Sequence, residues 1–175
     1  MEAALLEDRG PPATQGVALQ RPLAPTASAR DTARAMSENL DLVRSVYAHW
    51  ELGDFDRVFQ SASEWAHPQF EWIIADGPRA GSFKGVVGAE ESLYGMLEAW
   101  DELRFEAEEY RELDGERVLV LDRRRARGKG SGVETRTKAA GVVHFRDGKV
   151  TRLVMYWERD HAFADLGLAP EGDAS

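Results

Sequence analysis

Two Asp-Gly pairs, Asp114-Gly115 and Asp147-Gly148, each separate runs of alternating apolar and polar residues, and no other feature constrains the chain as much. Asp-Gly in such a setting is a hairpin signal, because the tight turns that match strand twist need residues tolerant of positive φ. "LRFEAEEYREL" and "RVLVLDRRRAR" therefore read as one hairpin, and "VETRTKAAGVVHFR" with "KVTRLVMYWER" as another. The Gly-rich "GKGSG" between them lacks the spacing of a phosphate loop and does not precede a helix, so it reads as a turn.

The preceding half has a helical period. Leu40, Val43, Tyr47 and Trp50 recur at steps of three and four, with Val46 on the same side, and Gly53 stops the pattern. "DFDRVFQSA" predicts a short second helix capped by Asp54, and "FEWIIAD" a strand. "GAEESLYGMLEAWDEL" places Leu93, Met96, Leu97 and Trp100 at helical spacing. Helices followed by meandering strands predict an α+β fold: a curved antiparallel sheet packed on three N-terminal helices, with a short C-terminal helix at "DHAFADLGL". In "VTRLVMYW" both alternating sets are apolar, with Leu153, Met155 and Trp157 opposite Val150, Val154 and Tyr156. The helices cover one face only, so the other is expected to pack on a second copy in a homodimer.

At 175 residues and 43% hydrophobic content, the chain supports one core. Residues 1–36, rich in Ala, Pro, Arg and Thr, have too few large apolar groups to repay ordering and are expected to be a disordered leader. Met36 doubles as a candidate start. The domain is expected over 37–168, with 169–175 as a flexible tail. A net charge of −9 and a pI near 5.0 argue against nucleic acid and anionic membranes as partners. The absence of cysteine excludes disulfides, thiolate nucleophiles and Cys-ligated zinc. No apolar run approaches a membrane span and no secretory pattern opens the sequence, so a cytoplasmic site is expected. His49, His67, His144 and His161 lack ligand spacing and no GxGxxG occurs, so neither a metal nor a cofactor is expected.

The helix ending in "ELGDFDRVF", the strand "FEWI", the segment "GSFKGVVGAEESLY" and the sheet run "AGVVHFRDGKVTRLVMYWERD" together resemble the nuclear transport factor 2-like superfamily, in particular its SnoaL-like members. The resemblance covers about Ser37 to Leu168 and implies a cone, the cystatin-like roll, in which a curved sheet wraps a pocket, commonly in a homodimer. It spans isomerases, cyclases, hydrolases, dehydratases and non-catalytic binding domains, so it does not choose an activity. In the ketosteroid isomerase branch, the positions of the oxyanion-hole tyrosine, the base and the neutral acid fall here on Val46, Trp72 and Val143. These side chains cannot perform that chemistry, and isomerase activity is not expected.

Asp76, in "FEWIIADGPRAG", admits two readings. A carboxylate at a pocket mouth is a candidate general base, whereas "ADGP" is ordinary turn chemistry. Asp122, between Leu121 and Arg123, is the second acid/base candidate, with an ion-pair role as its alternative. Arg123, Arg124, Arg125, Arg127 and Lys129 read as a charge ladder facing the Glu-rich preceding strand. Tyr47, Trp50, Trp72, Tyr94 and Trp157 lie on elements that surround the pocket in the resembled fold, and are the candidate ligand-binding residues. The expected partner is a small hydrophobic molecule, bound without catalysis or, in the second reading, transformed with Asp76 or Asp122 as acid or base.

Overall fold

The computed structural model describes residues 27–171. Helices α1 (Ala27–Glu51), α2 (Phe55–Gln60) and α3 (Ala62–Trp65) precede β1 (Ala66–Ile74), β2 (Gly81–Lys84) and α4 (Gly85–Leu97). Then follow β3 (Trp100–Asp114), β4 (Arg117–Gly128), β5 (Glu134–Arg146), β6 (Lys149–Tyr156) and α5 (Arg159–Leu166). The six strands form one curved, unclosed sheet in the order β2-β1-β6-β5-β4-β3, with α1 against β3 and α4 against β1. The α+β class is as expected, but the sheet is not wholly antiparallel, because β1 runs parallel to β6. Curvature follows from irregularities: register shifts interrupt β3 near Trp100, Ala107 and Glu112, and each such bulge bends its strand and increases twist.

The two hairpins solve their turns differently. At the second, Arg146 pairs with Lys149, and the two residues between them, Asp147 and Gly148, have φ of 52° and 75°. This is the doubly positive turn that Asp-Gly favours. At the first, Asp114 pairs with Arg117, so Gly115 and Glu116 form the turn. The Asp114 carboxylate accepts hydrogen bonds from the Glu116 amide at 2.9 Å and from Arg117 Nε at 2.8 Å.

The expected leader boundary is corrected. Residues 1–26 lie outside the described ones, but α1 already begins at Ala27, and Met36 is buried in the core. Ala29, Arg30, Ala33, Arg34 and Ala35 are strong helix formers. Once the packed part of a helix has borne the nucleation cost, such residues extend it with little burial of their own. At the other end, Ala169–Glu171 are described, and Glu171 pairs with Arg159 at 3.0 Å.

The outer sheet face is also corrected. Opposite Phe145 and His144 on β5, β6 carries Thr151 as an extra residue between Val150 and Arg152. That bulge turns Val150 to the inner side, where it joins the main core with Leu153 and Met155. Tyr156 and Val154 stay outside and pack with Leu119, Leu121, Ala140 and Val142 under Ala162 and Phe163 of α5. The stripe that motivated a second subunit is thus covered within the chain, with Tyr156 only 6% exposed. Phe163 is the centre of this cover. Phe163→Ala should lower unfolding free energy by about 3–5 kcal/mol, measured by urea denaturation; a loss below about 1 kcal/mol would show that α5 contributes little cover.

Candidate functional site

The helical period of α1 and the two-residue period of β1 aim their large side chains at one place. Tyr47 and Trp50 from α1 and Trp72 from β1 are each about 1% exposed. Their rings form a chain of edge contacts, with centroids 5.3 Å apart for Tyr47 and Trp50 and 5.9 Å for Trp50 and Trp72. With Val143, Val150 and Leu153 from the sheet and Val58, Phe59 and Trp65 from α2 and α3, they wall a narrow cavity of about 30 Å³ whose lining carries no charged side chain. The hydroxyl of Tyr47 and the indole nitrogens of Trp50 and Trp72 have no hydrogen-bond partner among the described residues. Leu42, Val46, Val58 and Trp65 belong both to this cavity and to an outer groove of about 290 Å³ between α1 and α2–α3, flanked by His49, Arg57 and Glu64. Trp65 stands at the junction, its indole donating to the Val58 carbonyl at 2.9 Å.

A second interior cluster lies on β4. Strand parity places Asp122 and Arg124 on the inner face with Val118 and Val120, and both charged side chains are buried. Arg124 Nε donates to Asp122 Oδ2 and Nη2 donates to the Ala140 carbonyl, both at 3.3 Å. Its guanidinium carbon lies 4.9 Å from the Phe105 ring and 4.8 Å from the Trp157 ring, within cation–π range of both. Burial raises the Asp122 pKa above its ordinary value, an effect Arg124 partly offsets, and Asp122 Oδ1 has no partner among the described residues. Tyr47 is electrostatically linked to this cluster: burial first, and then the Asp122 charge, hold its hydroxyl well above its ordinary pKa. Gly141 on β5 makes the room, since a methyl group there would overlap the Tyr47 hydroxyl. The expected ladder does exist for Arg123, which pairs with Glu108, for Arg125, which pairs with Glu102 and Glu106, and for Arg127, which pairs with Glu102. Arg124 is the member turned inward.

Asp76 lies elsewhere. Its Oδ1 accepts from the Trp157 amide at 2.5 Å, and its Oδ2 accepts from the Glu158 amide at 3.1 Å and meets His161 Nδ1 at 2.8 Å. The N-cap residue of α5, Glu158, makes no side-chain cap bond, so a carboxylate from the end of β1 satisfies amides at that helix's start. Asp76 therefore clamps two distant segments, and its oxygens are engaged in doing so. Trp157 touches the interior through Arg124 and packs on Gly77, where a Cβ would come within 2.7 Å of its ring. Tyr94 does not join the cavity; it is 39% exposed and its hydroxyl bonds Asp56. Among the described residues no group of three His, Asp or Glu side chains is placed to hold a metal, and no helix is long and apolar enough to cross a membrane.

The family model of the SnoaL-like domain matches residues 43–153, well over half of the chain. The chain belongs to the SnoaL-like domain family. Solved structures agree on the fold of this SnoaL-like domain. TerC, co-crystallised with polyporic acid, is 25% identical, with a TM-score of 0.59 over 74% of this chain and 97% of TerC. A nuclear transport factor 2-like protein from Burkholderia pseudomallei K96243 is 22% identical, with a TM-score of 0.61 over 74% of this chain and 97% of its own. A protein from Jannaschia sp. CCS1, provisionally named a SnoaL-like polyketide cyclase, is 18% identical, with a TM-score of 0.58 over 77% and 94% of the two chains. No curated protein matches the sequence.

The clamp gives this SnoaL-like domain a pH signature. The hydrogen bond to Asp76 raises the His161 pKa above its ordinary value. A raised folded pKa adds stability that is fully present below the unfolded value of about 6.5 and is lost as pH rises through the folded value. Wild type should therefore melt above His161→Gln at pH 6, with the gap closing by pH 9; a gap that is constant or widens with pH contradicts the assignment. Asp76→Ala, which strips two amides of their acceptor, should cost about 1–2 kcal/mol, and Asp76→Asn less.

Proposed function

We propose that this SnoaL-like domain binds a small, predominantly apolar molecule in the cavity walled by Tyr47, Trp50 and Trp72. The observation that carries the reading is the cavity itself: an uncharged, aromatic-walled space between α1, the short helices and the sheet, which shares Leu42, Val46, Val58 and Trp65 with an outer groove. Aromatic walls supply apolar area together with a few polar handles, the usual composition of small-molecule sites. The co-crystallisation of TerC with polyporic acid supports the reading, since a 25% identical relative was obtained with a small organic molecule. At about 30 Å³ the cavity holds little more than a water molecule. A ligand must therefore part the seam between α1 and the short helices α2 and α3, which rest on six- and four-residue segments.

Asp122 favours a second reading, in which the bound molecule is also transformed. Its carboxyl is buried, its pKa is raised by that burial, and one oxygen has no partner among the described residues, which are the attributes of a proton-holding group. Asp76, with its oxygens occupied, serves that role less well.

Toluene is a suitable probe of the first reading. It should raise the melting temperature of wild type, while Val46→Phe, which fills the junction of groove and cavity, should abolish the rise. No rise in wild type, or an equal rise in the variant, removes the site. If Asp122 transforms the ligand, Asp122→Asn should lower turnover of a bound compound by about 10²–10⁴-fold with affinity retained.

A further inference from the structure

We propose that Arg159, where α5 meets β4 and β5, is the centre of a binding site for a small dianion, a phosphate or a dicarboxylate, and that Glu171 of the chain's own tail occupies this site when no ligand does. The site lies apart from the aromatic cavity and does not depend on the binding reading above.

Arg159 is the first residue of α5, and its side chain is only 6% exposed. The sheet fixes its guanidinium: Nε donates to the Ala139 carbonyl at 3.1 Å, and Nη2 donates to the Asp122 carbonyl at 2.9 Å and to Glu108 Oε2 at 2.6 Å. Nη1 faces the tail, donating to the two carboxylate oxygens of Glu171 at 3.3 and 3.0 Å. The sheet contacts hold this donor in place without the tail. Glu171 is held more lightly. Leu168 closes α5 by donating its amide to the Phe163 carbonyl at 2.9 Å and packs with the outer cluster. Beyond it, among the described residues, the pair with Arg159 is what bonds Ala169–Glu171 to the domain. The Glu171 side chain is 38% exposed, and a lone ion pair with so open a partner stabilises little. A fixed, buried donor opposite a lightly held carboxylate is a site with an exchangeable occupant.

Charge sets the ligand class. Glu108 pairs through its other oxygen with Arg123 at 2.7 Å. The hydrogen bond from Arg159 and then, against the opposing effect of burial, the charges of Arg159, Arg123 and Lys138 hold the Glu108 carboxyl below its ordinary pKa. Three cations therefore surround one carboxylate of the sheet. Glu171 brings one negative charge to this group and leaves it one positive charge in surplus, whereas a dianion in its place closes the balance. The arginine fork matches carboxylate and phosphate oxygens alike, so both chemistries fit. A guanidinium left buried with an open donor is unfavourable, and the tail carboxylate prevents that state.

The test uses the full chain, with inorganic phosphate and succinate as probes at pH 8 and sodium chloride at equal ionic strength as the control. A tethered carboxylate competes at a millimolar effective concentration, so Glu171→Ala should bind at least one of the dianions about fivefold more tightly than wild type in a calorimetric titration. Binding should move the Arg159 Nε–H resonance of ¹⁵N-labelled protein. Lys138→Gln, added to Glu171→Ala, removes a surplus charge from an exposed position and should weaken the dianion about threefold. Binding of phosphate alone or succinate alone supports the site and names its chemistry. Equal affinity in wild type and Glu171→Ala, no binding beyond the chloride control, or binding that leaves the Arg159 resonance in place overturns the proposal. None of these outcomes bears on toluene in the aromatic cavity.

Discussion

The buried guanidinium of Arg124 is the constraint to which much of the interior answers. Taking such an ion out of water costs several kcal/mol even after relaxation, so the fold must surround it with compensating groups. Asp122, two residues earlier on the same strand and the same face, supplies the counter-charge; β5 supplies the Ala140 carbonyl; Phe105 on β3 and Trp157 at the end of β6 supply ring faces. Elements distant in sequence thus converge on one cation. The connection runs outward as well. Trp157 is held by its amide to Asp76, and its ring lies so close to Gly77 that a side chain there would collide with it. Gly77 has φ of 86°, a conformation that glycine adopts readily, so two demands meet at that residue.

Which parts of the fold were legible in the sequence follows from the range of the interactions that make them. The hairpins announced themselves because their turns are decided by two adjacent residues, and α2 because Asp54 caps it locally through Arg57. The order of α1, α2, β1, α4, the strands β3 to β6 and α5 followed from periodicity and turn signals, while the four-residue α3 was not read. What escaped was set at a distance. β2 is a four-residue edge strand whose existence depends on pairing with β1. The parallel pairing of β1 with β6 brings together residues from opposite ends of the domain. The extra residue Thr151 shifted the parity of β6, so Val150 changed faces, and α5 folded back over the stripe that remained. A single inserted residue is invisible to a two-residue period until the partner strand is known.

The candidate site divides along the same line. Tyr47 and Trp50 could be read from the stripe on α1, and Trp72 from the alternation of β1. Tyr94 could not be placed by neighbourhood alone: Leu93 and Met96 set the buried stripe of α4, and Tyr94, one residue on, is rotated about 100° away from Leu93. Arg124 was hidden inside a basic run whose other members are exposed ladder partners. Counting by twos from Val118 and Val120 would have exposed it, since the same parity carries Asp122 and then Arg124 inward. Asp76 shows the opposite failure. Its Asp-Gly-Pro context describes a local turn, yet its amide partners lie 81 and 82 residues away.

The two interior clusters differ in how their polar groups are satisfied. Around Arg124 the protein brings its own carboxylate, carbonyl and aromatic faces to a charge that could not otherwise be buried. Around Trp50 and Trp72 it brings aromatic and aliphatic groups, and their indole nitrogens have no partner among the described residues. Trp72 stands at the position that resemblance to the isomerase branch would give to a carboxylate base. Replacing a carboxylate by an indole exchanges an acceptor that takes protons for a donor that cannot release one at ordinary pH. On the β4 side, Asp122 keeps one oxygen without a partner among the described residues and lies within electrostatic reach of Tyr47. Tyr47, which lines the cavity while its hydroxyl lies over Gly141, connects the two.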